Sequence, residues 1–182
     1  MHKLSHAVAD TWLPYSHSPV YCIAPPDRGA RILGGVPGGD PMPFERLVEC
    51  LEPPYILLYV LHTPRGEGEA GRYQSPEISP EQFKAFVAKF GKYLSADGRF
   101  DIWAHSAAEK ATVVWDRHDQ LFAYGPVEKY SAELNALGFT EGETKIAFPH
   151  QHHYRPEFDA YAAELLEFFP WSYSPLREGD EQ

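Results

Sequence analysis

The chain of 182 residues is 43% hydrophobic and 14% aromatic, with 23% charged residues, enough to build a buried core and too apolar for a disordered or fibrous polymer. A formal net charge of −10 excludes the basic surface with which nucleic-acid binders meet phosphate, and leaves a small-molecule ligand or a basic protein as the expected partner. The longest strongly apolar run, Tyr55 to Leu61, is too short to cross a bilayer. The N-terminal MHKLSHAVADTWLPYSHSP lacks the apolar core of a secretory signal, so a cytoplasmic location is expected.

Residues 1–18 show no sustained periodicity and are expected to be loosely ordered. Val20 to Ala24 reads as a short strand, and the proline- and glycine-rich PPDRGARILGGVPGGDPMP that follows reads as a loop. Its glycines lack both the Lys-Ser/Thr ending of a P-loop and the strand-to-helix GxGxxG arrangement. A helix is expected from Pro43 to Leu51, stopped by Glu52-Pro53-Pro54 because proline removes a donor and restricts the residue before it. YILLYVL, apolar almost without a break, predicts a central strand buried on both faces. The polar HTPRGEGEAGRYQSPEIS reads as a long loop.

Ser79-Pro80-Glu81-Gln82 is a capping box with proline at the first helical position. Phe83, Phe86, Val87, Phe90 and Leu94 follow at helical spacing. Asp97-Gly98 turns the chain into the strand FDIWAH. TVVWD and QLFAY then form a hairpin through Arg117-His118-Asp119, where Asp116 and Asp119 read as turn formers and His118 as a turn residue outside any site. A helix opening at Pro126 ends at Gly138, KIAF reads as a strand, and a last helix runs from Pro156 to Phe169, broken by Pro170. Residues 171–182 read as a loose tail. Cys22 and Cys50 lack metal-type spacing and read as two buried, inert thiols.

The expected fold is one α/β domain over 1–182, at the α+β border. It has a mixed, mostly parallel sheet of five to six strands, a hairpin insertion and three to four helices in two or three layers. Helical crossovers join parallel strands and tight hairpins join antiparallel ones. By that rule four strands end on one edge, which receives His62, His105, the Tyr124-Gly125 corner and the His150-Gln151-His152-His153 cluster. Ligands of open α/β sheets sit outside such carboxyl ends. The expected catalytic residues are therefore His62 and His105, with Arg65 orienting an anionic group. Glu67, Arg72, Tyr73 and Tyr124 are expected ligand-binding residues, and His150, His152 and His153 candidate ligands for a divalent transition metal such as zinc.

In an extended segment His150 and His152 project to one side and His153 to the other. Neighbouring strands lie about 4.8 Å apart, so the cluster meets His62 only if KIAF lies beside YILLYVL. The expected function is binding or processing of a small molecule at a histidine site, with metal-assisted hydrolysis as the reaction. The alternative is a non-catalytic acidic binding protein of the inhibitor or immunity type, anchored by Trp12, Trp171 and Tyr173.

Overall fold

A computed structural model describes residues 1–25 and 31–180. In chain order it contains strands β1 (Leu4–Val8), β2 (Thr11–Pro14), β3 (Val20–Ile23) and β4 (Arg31–Gly35), helix α1 (Met42–Glu49), strands β5 (Tyr55–Leu61) and β6 (Gly71–Ile78), and helix α2 (Pro80–Ala96). Strands β7 (Phe100–Ser106), β8 (Ala111–Trp115) and β9 (Gln120–Tyr124) follow, then helix α3 (Val127–Ala136), strands β10 (Thr140–Glu141) and β11 (His150–His152), helix α4 (Asp159–Phe168) and strand β12 (Ser172–Ser174). Nine strands form one mixed sheet in the order β10-β3-β4-β9-β8-β7-β5-β6-β12, and β11-β1-β2 form a second, three-stranded sheet.

Strand alternation divides the large sheet into two faces. Tyr55, Leu57, Tyr59 and Leu61 of β5, with Phe100 and Ile102 of β7 and Val113 and Trp115 of β8, point into a core shared with all four helices. Phe83, Phe86 and Phe90 of α2 are fully buried there, and each ring contributes about 1.5–3 kcal/mol by leaving water. α2 starts at Ser79 through a complete capping box, in which Ser79 Oγ accepts from Gln82 N and Gln82 Oε1 accepts from Ser79 N. Among the described residues the four α-helices pack against this one core.

The sheet has more strands than expected, and among its pairs only β3–β10 is parallel among the described residues. The reversal traces to β6, which occupies what reads as loop. β6 pairs antiparallel with β5, so the α2 crossover joins β6 to β7 and sets β7 antiparallel to β5. Leu61 pairs with Phe100 and Tyr55 with Ser106, so His62 and His105 lie at opposite ends of the sheet and four strand ends do not meet on one edge. The turn between β8 and β9 consequently falls at the His62 end.

Other expectations shift as well. Residues 26–30 of the glycine-rich run lie outside the described residues, but Arg31–Gly35 of the same run is β4, between β3 and β9. Residues 1–18 supply β1 and β2, and the tail supplies β12 on the edge of β6 and a 3-10 turn at Glu178–Asp180, with residues 181–182 outside the description. KIAF is irregular: after Thr140–Glu141 the chain leaves β3, held to the sheet where Gln120 Nε2 donates to Thr144 O at 2.6 Å. No described helix is long and apolar enough to cross a membrane.

Candidate metal centre

Asp116 organises the turn from β8 to β9. Its Oδ1 accepts from the backbone N–H groups of His118 and Gln120, at 2.9 and 2.8 Å. Its Oδ2 lies 2.9 Å from His118 Nδ1. A carboxylate accepts, so His118 donates from Nδ1 and offers the lone pair of Nε2, the orienting arrangement found behind metal-ligating histidines.

β11 brings two more imidazoles to the same place. Alternation puts His150 and His152 on one side, and their ring centroids lie 5.5 Å apart. Those of His118 and His150 lie 5.2 Å apart, and those of His118 and His152 4.8 Å. His150 Nδ1 donates to Phe148 O at 3.2 Å, which also frees its Nε2. One nitrogen from each ring lies within 4.8 Å of the others. At a zinc–nitrogen distance of about 2.05 Å a tetrahedral edge is about 3.3 Å, so closing around an ion requires a contraction of about 1.5 Å at most.

His152 is the innermost of the three. Gly98 lets its ring approach, since a Cβ on Gly98 would stand 3.1 Å from His152 Nδ1. That nitrogen is buried without a hydrogen-bond partner among the described residues. Burial, reinforced by His118, Arg117 and His150, pushes the His152 pKa down to about 3, so the ring is neutral at pH 7, the form that ligates metal. His118 and His150 also line a cleft of about 490 Å³, bordered by Cys22, Gln120, Glu143 and Lys145. Burial and Glu143 raise the Cys22 pKa, which keeps the thiol protonated.

The other expected site residues are dispersed. His153 turns to the opposite side of β11, with Nε2 2.7 Å from Ser5 Oγ and its ring edge-on to His2. His62 is buried against Asp101 at 2.8 Å, and Asp101 also accepts from Arg117 N. His105 contacts Thr112 Oγ1 at the far end of the sheet, and Tyr124 ends β9 at that same end beneath Arg31. Arg65 meets Asp159, Glu67 meets Arg99, Arg72 meets Asp180, and Tyr73 OH donates to Glu69 O. Trp12 and Tyr173 are exposed on different sheets, while Trp171 packs on the core and donates to Leu165 O.

His118 is the member that the sequence reading leaves out. Its signal is the Asp-x-His spacing of Asp116 and His118, which turn chemistry alone also explains. No protein-family model, curated protein or solved structure matches the chain.

Proposed function

We propose that this protein binds a divalent transition metal ion, zinc or another with imidazole preference, on His118, His150 and His152, and that the ion acts on a small molecule in the adjoining cleft by metal-assisted hydrolysis. The observation that carries the reading is the convergence of three ring nitrogens within 4.8 Å, two of them fixed by partners on their Nδ1 atoms. Three imidazoles suit zinc, copper, nickel or iron, and three protein ligands would leave a coordination position for water or substrate. Zinc held there would supply hydroxide at neutral pH by lowering the pKa of its water to about 7. The cleft, about 490 Å³, falls within the size range of small-molecule sites. Glu143 is the carboxylate on its wall available to take a proton, and Lys145 the cation available to an anionic group.

The test uses protein purified without a histidine tag. It should carry metal, or gain thermal stability on addition of zinc, nickel or manganese, by about 2.7 kcal/mol at a metal concentration one hundred times Kd. The double variant His150→Ala/His152→Ala should lose both responses. An unmodified protein with neither metal nor a metal-dependent shift would overturn the reading.

A further inference from the structure

Lys3 is fully buried, an arrangement that a lysine tolerates only with its charge and donors accommodated. Its Nζ lies 3.1 Å from Asp119 Oδ1, donates to Asp116 O at 3.3 Å, and stands 3.9 Å over the Trp115 ring. Asp116 and Asp119 bracket His118, so Lys3 grips the turn that presents one member of the metal cluster. The backbone beside Lys3 grips the other two. β1 pairs with β11 in the register Leu4 to His152 and His6 to His150, and His153 N donates to Lys3 O at 2.8 Å. Among the described residues β11 pairs with no strand of the nine-stranded sheet. The same segment is pinned further where Arg155 Nη2 donates to His2 O at 2.9 Å and where Ser5 Oγ meets His153.

We infer that the N-terminal strand is a clasp on the metal centre: docking of residues 2–8 and metal binding are one linked equilibrium, with Lys3 as a positioning residue for His118. The inference rests on the reading of His118, His150 and His152 as metal ligands. Lys3 and β1 together bridge the two chain segments that carry those histidines, the β8–β9 turn and β11, which are adjacent neither in sequence nor in a sheet. Their mutual distance is thus set in part by a segment that itself contributes no ligand, alongside the direct tie of Gly98 N to His153 O at 2.9 Å. Linkage is reciprocal, so an ion that needs the docked strand also holds it docked. Whatever engages or removes residues 2–8 would release the ion, which makes the clasp a point of control over metal occupancy.

The experiment is run on the full chain with zinc alone as probe, in two parts. Zinc affinity is measured by competition with a chromogenic chelator for the unmodified protein, for Lys3→Met, and for Lys3→Met/Asp119→Asn, which leaves no unpaired buried carboxylate at the turn. Hydrogen exchange of the 2–8 amides is followed with and without zinc in the unmodified protein, a measurement that does not depend on either variant folding. The clasp predicts at least a tenfold loss of affinity in both variants with exchange in α2 unchanged, and at least a tenfold slowing of exchange at residues 4–7 when zinc is added. Unaltered zinc affinity in the variants together with zinc-independent exchange at residues 4–7 would overturn the clasp and leave the metal site standing. No zinc binding by the unmodified protein would overturn both.

Discussion

Two polar clusters meet near the Asp97-Gly98 turn, and they solve burial in opposite ways. Arg99 is fully buried, and all three nitrogens of its guanidinium are engaged: Nε and Nη2 donate to the two oxygens of Asp97, Nη1 to Glu67, and Nη2 also to Arg155 O and Asp159. Asp97 in turn accepts from Arg155 N. Positive charge is matched by carboxylates and each of the three guanidinium nitrogens has an acceptor. In the three-histidine cluster beside it, the carboxylate of Asp116 bonds His118 at Nδ1. Two of its rings are oriented from behind, by Asp116 and by Phe148 O, while the innermost leaves a buried nitrogen without a partner. Buried polar groups in folded proteins are nearly always paired. The complete cluster is therefore the structural one, tying the 62–70 loop, α4 and the 153–155 segment together, and the incomplete one is where a ligand is expected.

The largest effect that separates the two belongs to the complete cluster. Arg99→Met leaves Asp97 and Glu67 buried without their cation, and should lower stability by about 3–5 kcal/mol in urea unfolding. A loss below about 1 kcal/mol would mean that the network is no tighter than a surface ion pair.

Asp116→Asn tests the incomplete cluster. It keeps an acceptor for the turn but removes the carboxylate behind His118 and lets the amide present N–H groups to Nδ1, which favours the wrong tautomer. Metal affinity should fall about 10- to 100-fold, read by chelator competition. A variant with undiminished affinity would show that His118 is not held as a ligand by Asp116.

The same contrast explains what could be read in the sequence. The helices are written in local chemistry: the Ser79–Gln82 capping box and the phenylalanine spacing of α2 need no tertiary information. Alternation likewise separates His150 and His152 from His153. β6 is not written that way. It carries Gly71, Arg72, Gln74, Ser75, Pro76 and Glu77 in a strand near the sheet edge, paired with β5 across a register shift between Ile56 and Leu58, where Ser75 Oγ accepts from Leu57 N. A polar, proline-containing strand has the composition of a loop. Missing it inverts the direction of β7, which is why His62 and His105 read as neighbours and lie at opposite ends. The N-terminal strands are hidden for a related reason, since β2 is wholly exposed and β1 buries Leu4 and Ser5 side by side, with no alternation to read. Lys3 at the centre of a buried contact runs against every hydropathy rule. His118 needs the turn brought to β11, a tertiary fact that no local pattern records.

The smallest expected effect is a pH slope of the metal-free protein, and its sign distinguishes the clusters again. Burial holds the folded His152 pKa at about 3, below its ordinary 6.5. Above pH 6.5 the ring is neutral in both folded and unfolded chains, and its contribution to stability is fully present. As pH falls from 6.5 towards 3 the unfolded chain takes up a proton that the folded one refuses, so stability falls through that window. For a partly buried ring the loss over the first pH unit below 6.5 is under about 1 kcal/mol. His2 and His153 are also lowered by burial, so a residual slope of the same sign remains when His152 is removed. His152→Leu should therefore flatten the acid limb of the stability curve in chelator-treated protein. At neutral pH it should leave stability within about 1 kcal/mol of the unmodified chain, because it deletes an unpartnered buried nitrogen and no hydrogen bond. An unchanged acid limb would place the ring in contact with water, and the argument from its unpaired nitrogen would fail with it.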